Sequence, residues 1–295
     1  MRKDTAFAGP SVAELEDLAR RARINIIKSI AGAQGGHLGG PLSAIDMLIA
    51  MYFSVMEIRP EEPRWIDRDR FILSKGHSSI ALYVTLAMRG FFPTDELSTF
   101  DAINSRLQGH PDMTMTPGVD MSSGSLGLGF TGGLGIALGA RAAGKDFSTY
   151  IMLGDGECNE GSVWEGAHVA SRYGLSNVVA IIDHNKLQQF GWHGDTVDER
   201  LPSYTGSQLA DRWTAFDWKV LEMDGHNMTE ILKTLEAATS YESGPVAIIA
   251  HTIKGKGVSF MEGNYKWHAQ VPNVEEFDAA MSELGEPGCL EGGVA

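Results

Sequence analysis

Gly154-Asp155-Gly156 ends a run of strand-forming residues, Tyr150-Ile151-Met152-Leu153, and Asn185 ends a second run from Asn177 to Asp183. This arrangement predicts a carboxylate and an amide oxygen at the carboxyl ends of two strands. In an open parallel α/β sheet, that is the edge where ligands bind. Two hard oxygen donors beside glycine N–H groups suit a hydrated divalent cation that carries a diphosphate. Histidine is the second informative residue type, with nine in the chain. His37, His77 and His110 sit on glycine loops, in Gly36-His37-Leu38-Gly39, Lys75-Gly76-His77 and Gly109-His110-Pro111, a pattern that expects a helix to begin just after each. His268, in Lys266-Trp267-His268-Ala269, follows the last predicted strand and a Gly255-Lys256-Gly257 turn. A single loop histidine is ordinarily a solvated side chain. Four of them near a cation–diphosphate candidate point to proton transfer near neutral pH, or to neutralisation of phosphate or a developing oxyanion. Zinc ligation is disfavoured, because their spacing matches no zinc pattern and a Mg²⁺ or Ca²⁺ site prefers oxygen.

The elements that must position these groups are read from apolar periodicity. Ser11 and Glu14 form a capping box, after which Leu15, Leu18, Ala22, Ile26 and Ile30 recur at helical spacing until the glycines from Gly32 to Gly36. Pro41 is expected to open a helix over about residues 42–55 that is apolar on all sides and therefore buried. A short strand over 70–74 precedes His77 and a helix to about Arg89. Glycine-dense residues 118–144 are read as a ligand-approaching loop, Ser122 to Gly127, followed by a helix of small residues over 134–143. A strand over 219–224, a helix capped by Asn227 with Glu230 completing the box, and an apolar strand over 246–253 continue the alternation. The expected fold is α/β: a doubly wound, mostly parallel sheet with helices on both faces. One domain is expected over residues 1–295, with a loose, flexible tail over 285–295.

Lys+Arg number 24 against 38 Asp+Glu, a net charge of −14. An acidic chain with no basic patch disfavours nucleic acid and anionic membrane as main partners. Two cysteines, Cys158 and Cys289, supply no disulfide framework and fit a reducing compartment. Met1-Arg2-Lys3-Asp4-Thr5 opens no secretory signal, and no stretch has membrane-spanning length. A soluble cytoplasmic protein is the expectation.

Gly154-Asp155-Gly156 with a later Asn185 resembles the motif of thiamine-diphosphate enzymes. More narrowly, the chain resembles the N-terminal part of transketolase. The matching segments are Gly36-His37-Leu38-Gly39-Gly40-Pro41-Leu42, Leu73-Ser74-Lys75-Gly76-His77, Gly109-His110-Pro111-Asp112 and Gly124-Ser125-Leu126-Gly127. They continue through Gly154-Asp155-Gly156-Glu157-Cys158-Asn159-Glu160-Gly161, Asp183-His184-Asn185-Lys186 and His251-Thr252-Ile253-Lys254-Gly255-Lys256-Gly257. They occur in family order over nearly the whole chain. The resemblance implies that Asp155, Asn185 and the carbonyl of Leu187 ligate Mg²⁺ or Ca²⁺. It places Gly156, Glu157, His77 and His268 with thiamine diphosphate, and the backbone of Gly124 and Leu126 against its aminopyrimidine. It assigns His37, His77, His110 and His268 to the sugar hydroxyls and to proton transfer. Glu160, counted with them as catalytic, and Glu165 resemble acidic residues that link paired active sites. For Glu165, favourable charge at a helix N-terminus is an equal alternative.

Two departures stand out. Leu38 follows His37 where the family often has proline, and Ala269 follows His268 where glycine is common. Cys158 beside the motif reads as a small apolar filler. A full transketolase also has a pyrimidine-binding domain, which carries the catalytic glutamate and the arginines for substrate phosphate, and a further C-terminal domain. Neither has a counterpart here. The resulting expectation is one subunit of a split enzyme, completed by a C-terminal transketolase subunit in a heterotetramer-like assembly acting on sugar phosphates. The competing readings are the α chain of a 2-oxo-acid dehydrogenase, which would not need His37, His77 and His110, and a non-catalytic scaffold subunit. The sequence leaves the donor and acceptor sugars open.

Overall fold

The computed structural model describes residues 9–189 and 206–286. The expectations for the first residues, for Cys289 and for the tail beyond residue 286 lie outside the described residues. Helix α1 (Val12–Ala33) begins at the capping box: Ser11 Oγ accepts from Glu14 N at 3.3 Å and Glu14 Oε2 from Ser11 N at 2.7 Å. It stops where Gln34 turns left-handed, at φ 52°. Helix α2 (Gly39–Ala50) is buried at every residue and runs into a π-helical turn, Met51–Val55. It starts two residues ahead of Pro41 because the Leu42 N–H donates to Leu38 O at 3.2 Å. Proline then occupies the first turn, where a missing N–H costs no intrahelical bond. Arg23, between the apolar positions of α1, is itself buried and forks onto Asp46 of α2.

Strand β1 (Arg70–Leu73), α3 (Ser79–Arg89), α4 (Leu128–Ala142) and β2 (Thr149–Gly154) come next. They are followed by α5 (Gly161–Arg172), β3 (Val178–His184), α6 (Gly206–Ala215) and β4 (Lys219–Asp224). Helix α7 (Met228–Thr239), β5 (Val246–His251) and α8 (Val274–Glu283) complete the order. The sheet runs β1-β2-β3-β5-β4 with every neighbouring pair parallel. Alternate residues of its strands enter two separate cores. Tyr150, Met152, Val179, Ile181 and Ile248 pack with α1, α2, α3 and α7. Ile151, Leu153, Ala180, Ile182 and Ile249 pack with α4, α5 and α6. Burial on both faces is why these strands read as continuous apolar runs, as the expected α/β sheet requires. Among the described residues, no helix is long and apolar enough to cross a membrane.

The structure corrects three local readings. Helix α4 begins at Leu128, six residues before the expected start. A Cβ at Gly129 would lie 2.6 Å from Ser74 Cα, and one at Gly133 2.7 Å from Ile151 Cδ1. Helical glycine is unfavourable alone, but here it lets the helix lie directly on β1 and β2. No helix follows His110: the backbone from Pro111 to Gly127 is irregular up to α4, and Pro111 and Pro117 withhold N–H donors along it. Asn227 does cap α7, accepting from Glu230 N at 3.1 Å, but Glu230 Oε1 takes the N–H of Asp224 and leaves the box half formed.

Candidate active site

Asp155 directly follows β2 and Asn185 directly follows β3, two neighbouring strands that pair Gly154 with Asp183. The Asp155 N–H donates to Asp183 O at 3.2 Å, which continues the ladder past the strand ends. Its carboxylate accepts from Gly156 N at 2.8 Å and from Lys186 N at 2.6 Å. Lys186 reaches this position in the left-handed region, φ 67°. The turn is fixed further by Asn185 Oδ1, which accepts from Leu187 N at 3.2 Å, and by Gln188 Oε1, which accepts from Asn159 Nδ2 at 2.9 Å. A Cβ at Gly156 would lie 3.2 Å from Gln188 Cα. The loop bearing Asn185 and Leu187 is thus folded onto the Gly-Asp-Gly turn. Burial, and next the Asp183 charge, push the Asp155 carboxyl up to about 6.

The sequence scatters the histidines over the whole chain, and the fold gathers them. The His37 ring lies 5.2 Å from His77, 6.3 Å from His110 and 5.1 Å from His268, and His77 lies 5.2 Å from His268. His37 precedes α2, His77 sits in a 3₁₀ turn between β1 and α3, and His268 closes another, Tyr265–His268, after β5. Glycines bring these loops together. A Cβ at Gly76 would lie 2.8 Å from Ser123 C, and one at Gly124 3.3 Å from His110 Cδ2. The loop from Ser122 to Gly127 therefore lies against Gly76, which precedes His77, and against His110. Burial first, then the nearby ammonium of Lys75, lower His77 to about 2. Burial and then Lys254 lower His268 to about 3, and burial also lowers His37. His77 and His268 are therefore neutral imidazoles at neutral pH.

Sequence reasoning missed the polar support beneath this cluster. Lys75 pairs with Asp183, both essentially inaccessible, and its Nζ lies 3.3 Å from Gly40 O. Ser43 Oγ donates to Asp183 Oδ2 at 2.6 Å and Thr252 Oγ1 donates to Oδ1. The lysine and the two hydroxyls hold Asp183 ionised, below the usual carboxylate range despite its burial. The signal in the sequence was one acid inside an apolar strand, where an unpaired charge is prohibitively costly. Lys254 is a second buried lysine, with Nζ 2.9 Å from His268 Nδ1; burial and then Lys75 lower it to about 8. The Glu157 carboxylate is committed to Ser74 Oγ, Gly127 N (2.9 Å) and Gly154 N (3.1 Å). It ties the end of β1, the start of α4 and the Gly-Asp-Gly turn together. Glu160 is the exposed N-cap residue of α5 and makes no side-chain cap, and Glu165 is exposed further along the helix.

Whether this edge fits a metal–diphosphate group can be tested on its charges. The partners of the buried Asp155 carboxylate are backbone N–H groups, and the partner of the buried Lys254 ammonium is an imidazole. The Asp155 charge is close enough to raise Lys254. A buried anion and a buried cation, each facing neutral partners, are what a bound cation and a bound anion would satisfy. The residues fit.

Comparison with known proteins gives a consistent result. Residues 15–287 match the family described as "Transketolase, thiamine diphosphate binding domain". The chain is 41% identical over 275 residues to one of the subunits of the apulose-4-phosphate transketolase of Phocaeicola vulgatus, covering 93% of this chain and 95% of that one. It is 39% identical to the 6-deoxy-6-sulfo-D-fructose transketolase subunit SqwG of Clostridium sp. strain MSTE9, covering 93% of this chain and 98% of that one. Human transketolase is 37% identical over 261 residues, but the alignment spans 40% of that protein. The crystal structure of transketolase from Campylobacter jejuni superposes with a TM-score of 0.84 at 30% identity, over 93% of this chain and 43% of that one.

Proposed function

The chain belongs to the transketolase thiamine diphosphate binding domain family, and from that premise we propose that it is the N-terminal subunit of a two-chain transketolase. Its reaction is the transfer of a two-carbon ketol unit from a ketose donor to an aldose acceptor. The observation that carries this reading is the meeting of His37, His77, His110 and His268 at the sheet edge that also bears Asp155 and Asn185. The two-chain assembly draws on the relatives named as subunits, of which this chain covers 95% and 98%.

In this reading Asp155, Asn185 and the Leu187 carbonyl hold a divalent cation, Mg²⁺ or Ca²⁺, whose remaining positions are oxygen. The backbone at Gly156, whose N–H is given to Asp155, lies against a diphosphate that the buried Lys254 meets, and the backbone of Gly124 and Leu126 meets the aminopyrimidine. Glu157 contributes through its position in the turn, since its carboxylate is already bonded. Thiamine diphosphate supplies the electron sink for carbon–carbon cleavage when bound. The chain's own histidines hold the sugar hydroxyls, and neutral His77 offers a proton acceptor. The partner chain supplies the pyrimidine-binding domain. Relatives named for apulose 4-phosphate and for a sulfonated fructose extend the substrate class beyond ordinary pentose phosphates, to sugars that carry a phosphate or sulfonate. We place the protein in the cytoplasm as a single diphosphate-binding domain.

The test is ketol transfer by the purified chain with thiamine diphosphate and Mg²⁺, with and without a C-terminal transketolase subunit. Activity that requires both chains is expected. Substantial activity from this chain alone would sink the two-chain reading, and no transfer from the pair with any phosphorylated or sulfonated ketose would sink the reaction.

A further inference from the structure

We propose that Lys254 is a positioning residue that locks His268 in its Nε2–H tautomer, so that this histidine presents a hydrogen-bond donor, and not a base, to the pocket it shares with His37 and His77. The carrying observation is the 2.9 Å contact between Lys254 Nζ and His268 Nδ1. An ammonium has three donors and no acceptor, so Nδ1 must meet it with a lone pair. A neutral imidazole with its lone pair at Nδ1 carries its hydrogen at Nε2. The same contact excludes imidazolium, which would place two donors face to face. Lys75 adds a second positive charge near the ring; burial and then Lys75 lower Lys254 to about 8 against the opposing pull of Asp155 and Asp183, which leaves it mainly charged at neutral pH. A neutral lysine amine would instead accept from Nδ1–H and reverse the assignment, which makes the tautomer decisive.

The pair is held by backbone as well. A Cβ at Gly39 would lie 2.8 Å from Lys254 Cγ, so the lysine stem runs directly over that glycine. Gly255 N donates to Gly39 O at 3.0 Å, Gly263 N to Lys254 O at 2.9 Å, and Leu38 N to His268 O at 3.3 Å. The backbone segments that carry the amine and the imidazole are thus both anchored to residues 38–39, which sets the two side chains facing each other. The consequence is a division of labour: His77 accepts, and His268 donates to an acceptor oxygen, of either a diphosphate or a sugar. The catalytic meaning rests on the proposed function, but the tautomer does not, so the two can fail separately.

Heteronuclear NMR of the full chain with isotope-labelled histidine reads the tautomer directly, the His268 signals being assigned by their loss in His268→Gln. The expected result is a lone pair at Nδ1 and hydrogen at Nε2 in the wild type. Lys254→Arg should retain this form, and Lys254→Met should release it to a mixture of tautomers. Hydrogen at Nδ1 in the wild type, or an unchanged tautomer in a folded Lys254→Met, would overturn the proposal. If Lys254→Met does not fold, the wild-type and Lys254→Arg spectra decide. Adding inorganic diphosphate with Mg²⁺, and separately a ketose with the cofactor and the partner chain, identifies which oxygen receives the donor by the shift at Nε2. No shift in either arm would overturn the donor role.

Discussion

In the proposed function, His77 and Asp155 are site residues whose burial has an energetic cost. The ordinary histidine value is 6.5, and the folded His77 lies near 2. Below pH 6.5 the unfolded chain takes up a proton that the folded chain refuses, so stability is complete above 6.5 and falls as pH drops. Between about pH 7 and 5.5 this one group should cost about 1 kcal/mol. His77→Asn should reduce the acid sensitivity by about that amount, as measured by urea unfolding at the two pH values. An equal loss in the variant would show that His77 is not the source. Asp155 is a buried carboxylate raised to about 6, and a bound cation would relieve its cost. At a ligand concentration about 100 times Kd, thiamine diphosphate with Mg²⁺ should stabilise the two-chain complex by about 2.7 kcal/mol. Asp155→Ala should abolish that stabilisation while the apo fold persists, and a retained thermal shift would refute the ligand assignment.

Secondary-structure elements fix the site through two buried joints. The first links the ends of β1 and β3 through Lys75 and Asp183, with Ser43 from α2 and Thr252 from the end of β5. Lys75→Met leaves Asp183 ionised without its cation and should cost about 3–5 kcal/mol. Adding Asp183→Asn should recover part of this loss, and a double variant no more stable than the single one would refute the pairing. The second joint is the approach of α4 to β1. Gly129→Ala places a methyl 2.6 Å from Ser74 Cα, where the contact is backbone and cannot rotate away. Overpacking of this kind costs about 1–3 kcal/mol. The expected result is a lower unfolding midpoint together with weaker cofactor binding, because Ser74 and Glu157 share that joint. Gly135, inside the same helix, where an added methyl would meet nothing within 4 Å, is the control at which alanine should not lower the midpoint.

At the scale of the whole molecule, the proposed two-chain enzyme has a second chain bring the pyrimidine-binding domain to this site. His110, Glu160 and Glu165 are exposed, and exposure suits groups that meet a second chain. If Glu160 lies at that interface, Glu160→Lys should weaken assembly with the C-terminal chain, read by sedimentation or by the partner concentration needed for half-maximal ketol transfer. Assembly indistinguishable from wild type would remove Glu160 from the interface.

The sequence by itself determined the sheet and the residues at its carboxyl edge. Strands buried on both faces are written as apolar runs, and Asp155 and Asn185 mark the ends of two of them. Their placement at the carboxyl edge follows from a parallel sheet, so it was legible before any coordinates. The His37, His77 and His268 loops were legible as residues, but their distances from one another were not, because they meet through parts of the chain far apart in sequence. Tertiary structure alone decided the roles of Lys75, Asp183, Lys254 and Glu157. Each is a charged residue whose partner lies in another element, so no local period or cap announces it. The glycines of α4 belong to the same class: their value lies in what a missing Cβ admits, and that is set by the strand packed against them. The Gly-Asp-Gly turn thus supplies the candidate cation–diphosphate site, and the fold adds the burial and the lysines that keep His77 and His268 neutral.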